Sequence, residues 1–575
     1  VDLSTIDPMY QYSLQWFTKL FVMAIENSTQ STDIEERLKN LNDYFTYSLY
    51  ENICRSLFEK HKLLFSFVLT VKILQGYDQI DSEEWRYLLA GPSGTIHIPP
   101  NPTIWLNDNT WKKMYEDVHG TEVLPAFSGF TADFLANLDQ FKRIFDSPNA
   151  HEEPLPLLWD KKLNEFQKMI ITRAIRPDKL VPAVKNWITN KIGQPFIDPP
   201  TINIGKAFKD SSVNTPLIFV LSPGSDPISA FKRFAEEMGM AKKLESISLG
   251  QGQGEKAKVH IEDAKGRGGW VLLQNCHLAK SWMSDLERIV EEFDESIRGD
   301  FRLWLTSMPA EYFPVSVLQN SIKMTVEPPK GLRSNLLLSY SRLDDKELND
   351  CSKIEAFKNL TFGICFFHAI VQDRRKFGPI GWNILYEFTT EDLDVTLKQL
   401  KLFLNQDTPV IPYKVLNILG AEVNYGGRVT DDKDSRLIKT ILKTYVTHRI
   451  FDEDYKFSES GKYYIIPPGS QNDYIEYIKK LPLDPEPEAF GLHENAQITT
   501  AQDETRLLLE TIISVQPRAS SGSGKSREVQ IAEIALSIQN SLPPKFDIEY
   551  VAEKFPTSYE ESMNTVLIQE VYRFQ

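Results

Sequence analysis

The chain reads as an α/β domain on a parallel sheet flanked by helices, followed by an all-α bundle and preceded by a helical segment. Three observations predict this. Apolar runs recur at 217–221, 270–273 and 301–306 with helical patterns between them, as in a parallel sheet covered on both faces. Beyond 330 the strand signal stops and helical spacing takes over. Before 200, aromatic and aliphatic residues also fall at helical spacing.

Residues 1–95 are expected to be helical. Met9, Tyr12, Leu14, Trp16, Phe17, Leu20, Phe21 and Ile25 form a wide apolar stripe, 41–74 a longer pattern rich in Phe and Leu, and 81–89 a short helix ending at Gly91-Pro92. Aromatics this dense mark a core or a domain interface. Residues 96–200 form a helical connector. It opens on an irregular stretch rich in Pro, Asn and Trp over 96–125, continues as helices at 130–145, 159–175 and 180–192, and closes on the extended linker QPFIDPPT.

Residues 201–330 form the α/β domain. Further strands are expected at 244–249 and 322–326, the last ending at Pro328-Pro329. The glycine-rich LGQGQG (249–254) lacks the full G-x-G-x-x-G spacing and a lysine-plus-hydroxyl ending, so it reads as a tight turn. Residues 331–500 are a helical lid, with helices at 334–342, 354–371, 390–404, 413–421 and 434–450. Two polar loops lie between them, 374–383 (RRKFGPIGWN) and 424–434 (NYGGRVTDDKD). The first offers Arg374, Arg375 and Lys376 to an anion, although charge runs are more commonly solvated or interface loops. A hairpin strand is expected at 462–466. Residues 501–575 carry helices at 503–515, 529–538, 548–555 and 562–574 around ASSGSGKSRE. Gly524-Lys525-Ser526 matches the end of a phosphate loop, but Ala519 stands at its first glycine and no apolar strand ending in an acid follows. A flexible linker is the better account.

The segment that decides the chemistry is TPLIFVLSPGSDPISAFKRFAEEMG (215–239), a strand, a loop and a helix, on which nucleotide-binding proteins build a phosphate cradle. Against G-x-x-x-x-G-K-[ST], Ser222 and Pro227 replace the glycines, Ile228 replaces the lysine, and Ser229 alone fits. Gly224 and Asp226 lie between. Pro227 has no N–H to offer a phosphate oxygen. Asp226 suits a helix cap and would repel an anion. At the end of the 270–273 strand, Gln274 and Asn275 stand where such enzymes hold Mg²⁺ and orient water with acids. Neutral amides supply neither charge nor base. No catalytic residue, metal ligand or nucleotide cofactor is therefore expected here. The alternative is an ATPase module with a divergent nucleotide site that uses Lys232 or Arg233, which begin a helical turn too far along. Cys276-His277 points its two side chains to opposite faces and reads as packing.

Composition narrows the classes. At 575 residues the chain holds several modules. A net charge of −15 argues against nucleic acid as the main partner. Cys54, Cys276, Cys351 and Cys365 are widely spaced, as reduced thiols are, and the scattered histidines offer no zinc pattern. The longest apolar run, 63–71, is far short of the roughly 20 residues of a membrane span. The start on Val1 and the finish on Gln575, inside a helical pattern, look like cuts in a longer polypeptide.

Taken together, TPLIFVLSPGSDP, GGWVLLQNCHLAKSWM, SMPAEYFPVSVLQNSIKMTVEPPKGLRSNL, FFHAIVQDRRKFGPIGWN and NYGGRVTDD resemble the C-terminal motor region of dynein heavy chains. The resemblance covers essentially the whole chain. It implies that 1–95 closes the fifth AAA+ module of a six-module ring, that 201–330 is the α/β part of the sixth module and 331–500 its lid, and that 501–575 starts the C-terminal region. The RRKFGPIGWN wording is closer to axonemal members, which implies a cilium or flagellum, and leans to an inner arm. The family's main ATP and Mg²⁺ site, its linker and its microtubule-binding stalk would lie upstream of Val1. The implied partners are the other AAA+ modules of the same heavy chain and, through the parent, intermediate and light chains and microtubules. By itself the segment would neither hydrolyse ATP nor grip a microtubule.

Overall fold

The computed structural model describes residues 3–516, except 93–95, 198–202, 223–224, 251, 295, 328–329, 453 and 483–484. Beyond 516 it describes 535–536, 539, 547–554, 566–567, 569–571 and 573. Contacts divide the polypeptide into a unit spanning Val1–Gln516 and a second spanning Pro517–Gln575.

Five strands form the sheet: β1 (Leu217–Leu221), β2 (Leu244–Ser248), β3 (Trp270–Gln274), β4 (Arg302–Ser307) and β5 (Ile322–Val326). Their order is β2-β3-β4-β1-β5 and every pairing is parallel. β1, β3 and β4 are buried on both faces, which explains their unbroken apolar sequences. Leu217, Phe219, Trp270, Leu272, Trp304 and Met324 share one face with Phe231 and Ala235 of the Ile228–Glu237 helix. Trp304 sits at the centre, its ring 4.8 Å from Phe231, 5.3 Å from Trp270 and 5.9 Å from Phe219. Ile218, Val220, Val271, Leu273, Leu303 and Leu305 face the other way, toward the Gly254–Arg267 and Met283–Glu291 helices.

That second face is continuous with the core of the helical segment before it. Ile34–Cys54 and Glu59–Gly76 are separate helices, so the expected long helix breaks at 55–58. The stretch 96–125 is not irregular throughout. Asn107 caps a helix over Asp108–Gly120, which buries Trp111, Met114, Tyr115 and Val118 along one stripe.

The lid has its own core. Its helices run Leu332–Ser341, Ile354–Asp373, Thr390–Leu404, Tyr413–Ile418 and Asp432–Tyr445. Ile354–Asp373 is long and apolar enough for a membrane span by composition, yet every residue from 359 to 371 is buried inside the bundle. At Gly363 a Cβ would come within 2.6 Å of the Tyr445 carbonyl, so the glycine sets how closely two helices approach. The strand expected at 462–466 is a single antiparallel bridge, Lys456 to Tyr464. A helix absent from the sequence reading covers Gln471–Lys480, closed by a Ser470–Asp473 capping box. The last helix of this unit, Asn495–Val515, runs from Ala496 in the lid core to Leu508, Leu509 and Ile512 in the core shared by the helical segment and the sheet. In the second unit, Ile548–Lys554 is helical. Of the other helices expected there, the described residues 535–536, 566–567, 569–571 and 573 are helical; Gly524-Lys525-Ser526 with Ala519 lie outside the described residues, as do Pro328-Pro329.

Candidate functional site

All five strands point the same way, so the loops after β1, β3 and β4 meet at one edge of the sheet, where open α/β folds hold their ligands. Leu273 of β3 and Ile218 of β1 both lie level with Leu305 of β4. Two strand spacings, about 10 Å, separate β1 from β3. This brings the loop starting at Ser222 and the pair Gln274-Asn275 to the same edge.

Among the described residues of the loop, Ser222, Ser225 and Asp226 already have hydrogen-bond partners. Ser222 N donates to Val326 O and to Ser225 Oγ, both at 3.1 Å. Ser222 Oγ donates to Val326 O at 3.1 Å, and Ser225 Oγ to Ser222 O at 2.7 Å. Asp226 Oδ1 accepts from Ile228 N at 2.8 Å. A carboxylate thus occupies the helix N-terminus, which favours negative charge and in a phosphate cradle receives the ligand. Pro227 is buried, Ile228 is half-buried against the cluster around Trp304, and Ser229 is exposed. Gly224 lies outside the described residues. Lys232 and Arg233 are exposed, four and five residues past Ile228, so roughly 6 Å or more further along the helix axis.

Gln274 and Asn275 are held by neighbouring strands. Gln274 Nε2 donates to Ser246 Oγ at 2.7 Å and Asn275 Nδ2 to Ser248 Oγ at 3.3 Å, both on β2. Asn275 N donates to Thr306 Oγ1 at 3.0 Å on β4. Asn275 takes a left-handed conformation (φ 55°), which Asn tolerates better than most residues. Cys276 is fully buried, and burial pushes its thiol up to about 12. His277 Nδ1 accepts from Met308 N at 3.1 Å. The ring nitrogen and the thiol are engaged separately, so they form no nucleophile–base pair. Among the described residues, no cluster of His, Cys, Asp or Glu could hold a metal ion.

The two polar lid loops are each other's partners. Asp434 is buried and accepts from Asn383 N and Ile384 N at 3.2 Å and from Tyr386 OH at 3.0 Å. Asn383 Nδ2 donates to Asp431 Oδ1 at 3.1 Å. Arg374, considered for an anion site, is buried instead. It donates to Gly381 O at 3.2 Å and to Phe490 O, and its guanidinium lies 5.5 Å from the Trp382 ring centre. Burial lowers its proton affinity to a pKa of about 10. Lys376 pairs with Asp373 at 3.2 Å. What the sequence reading missed is the buried charge. Asp434 was read as the end of a polar loop and Lys323 only as part of a strand, although a lysine inside an apolar strand was a visible signal.

Three family models match the sequence. They are the dynein heavy chain region D6 P-loop domain over 212–325, the dynein heavy chain AAA lid domain over 357–496 and the C-terminal domain of dynein heavy chains over 502–575. Among curated proteins, the chain is 48% identical to human dynein axonemal heavy chain 1 over 575 residues, covering 100% of this chain and 13% of the relative. It is 47% identical to human dynein axonemal heavy chain 3, covering 100% and 14%. It is also 47% identical to human dynein axonemal heavy chain 12, covering 95% and 18%. The chain therefore spans less than a fifth of the length of these relatives.

Proposed function

The chain belongs to the dynein heavy chain family, and from that premise we propose that it is a non-catalytic AAA+ ring segment that transmits motion without binding nucleotide. Like its axonemal relatives, it is part of the cytoskeleton of the axoneme in a cilium or flagellum. The parent would be an ATP-driven, minus-end-directed microtubule motor that powers ciliary or flagellar beating. ATP and Mg²⁺ would act in modules upstream. The partners of this segment would be the neighbouring AAA+ modules of the same heavy chain, with intermediate and light chains and microtubules reached through the parent.

One observation carries the non-catalytic reading. The Asp226 carboxylate accepts from the first amide of the helix after β1, that of Ile228, whose side chain stands where the phosphate-reaching lysine belongs. A triphosphate there would meet a negative charge, a proline and the already-bonded amides of Ser222, Ser225 and Ile228. Gln274 and Asn275 support the reading, since neither can neutralise Mg²⁺ or take a proton from water.

Transmission needs stiffness, and the joint between the helical segment and the sheet has it. Thr325 N of β5 donates to Arg55 O at 2.9 Å, so the 55–58 turn extends the hydrogen bonding of the sheet. Arg55 pairs with Asp210 at 2.9 Å, and Lys206 with Glu51. A displacement of the helical segment would carry the sheet with it as a rigid body. Titration calorimetry of the 575-residue protein with Mg-ATP tests the proposal. No binding heat is expected. Micromolar binding that disappears when residues 222–227 are replaced would refute it in favour of a divergent ATPase module.

A further inference from the structure

Lys323 is the second residue of β5 and is almost fully buried. Its ammonium donates to Gln11 O at 2.6 Å and to Leu318 O at 2.7 Å, and sits 4.6 Å from the centre of the Tyr12 ring. No carboxylate pairs with it among the described residues, and Arg55 adds a second positive charge nearby. A buried charge without a counter-ion is costly. Gln11 and Tyr12 belong to the stretch before the first long helix, and Leu318 to the short helix Val315–Gln319 before β5. The Lys323 side chain thus ties the start of the helical segment to the sheet.

We propose that Lys323 is a pH-dependent latch that closes residues 9–12 onto the edge of the sheet more tightly as the solution becomes more alkaline. While the stretch is closed, burial lowers the lysine pKa from 10.5 to about 7, with Arg55 adding to the shift. When the stretch lifts away, the amine meets water and regains its ordinary affinity for a proton. Between those two values the open form holds a proton that the closed form has released to solvent. Raising the pH therefore favours closure by up to tenfold in the opening equilibrium per pH unit. Below about 7 both forms are protonated and the dependence vanishes.

The other ionisable groups on the packed elements leave this window clear. Tyr10, Tyr12 and Cys54 are pushed up by burial and stay neutral, and His61 is pushed down to about 4. Asp7, Arg55 and Glu327 supply the fixed charges around the joint, Asp7 with a pKa raised by burial.

Amide hydrogen exchange of the full chain from pH 6 to 9, corrected for intrinsic rates, tests the latch. The reporters are Gln11 N, bonded to Met9 O at 3.0 Å, and Phe58 N, bonded to Tyr10 OH at 2.9 Å. In the wild type their opening equilibrium should be flat to pH 7 and then fall several-fold to tenfold per unit. Lys323→Met should abolish the dependence, and Lys323→Arg, which keeps its charge, should give an opening equilibrium as flat as that of the wild type below pH 7. A flat wild-type profile from pH 7 to 9 would overturn the proposal, whether or not either variant folds. So would a slope that persists in Lys323→Met.

Discussion

Replacing Asp434 by Ala should loosen the lid where its two polar loops meet. The carboxylate is buried and accepts three hydrogen bonds, two from backbone amides of Asn383 and Ile384 and one from Tyr386. Truncation leaves one buried and two partly buried donors facing a small cavity. Each bond to a charged acceptor is worth about 1.5–3 kcal/mol, but the stretch 381–386 can recover part of this by admitting water, so the net cost should be about 3–5 kcal/mol. Global unfolding of a protein with several cores is not a two-state process. Local exchange is the better assay. Amides in a peptide spanning 377–388 should exchange roughly a hundredfold faster or more, since 1.4 kcal/mol is a factor of ten. Trp382, buried beside Tyr386 at 5.9 Å, gives an optical check through a red-shifted emission. Asp434→Asn, which keeps one acceptor, should lose less. Unchanged exchange over 377–388 in Asp434→Ala would show that the carboxylate does not hold the loops, and the reasoning would fail.

Other perturbations have equally definite outcomes. Trp304→Ala removes the centre of the aromatic cluster over the sheet and should cost about 3–5 kcal/mol in the local opening free energy read from hydrogen exchange of β1 and β4 amides. Gly363→Ala should destabilise the lid by about 1–3 kcal/mol in calorimetry, despite the better helix propensity of Ala, because the added Cβ meets the Tyr445 carbonyl. His368 is buried, bonded through Nδ1 to Tyr425 OH at 2.9 Å, and burial lowers its pKa to about 3. Its neutral form is stable in the fold above the ordinary pKa near 6.5, while the unfolded chain takes up a proton below it. Lid stability should therefore fall as pH drops from 6.5 toward 3, and His368→Gln should flatten that part of a thermal-melt profile.

The sheet was legible because burial on both faces leaves an unmistakable mark. Runs such as LIFVL and WVLL have no polar side to confuse with a surface helix, and even the half-exposed edge strand β2 was found where LESIS breaks from its flanking helices. The Asp108–Gly120 helix was not legible, because its apolar stripe is thin and follows a proline-rich approach. The Gln471–Lys480 helix was lost among prolines and tyrosines, although its Ser470–Asp473 capping pair was a usable signal. The loop at 374–383 read as a solvated or interface loop without a stated partner, because charge is visible in sequence and partners are not. Arg374 bonds to Phe490, and Asn383 to Asp434, residues 116 and 51 positions away. At the candidate site the residue types could be read directly. The bonds from Gln274 and Asn275 to β2 hydroxyls depend on strand order, which the sequence does not display.

The most direct test of the proposed inert module is a density map of the protein in a large excess of Mg-ATP. The region bounded by Ser222, Asp226 and Ser229 should hold only solvent, with Asp226 still bonded to Ile228 N. A triphosphate and its magnesium ion lodged against that loop would contradict the account.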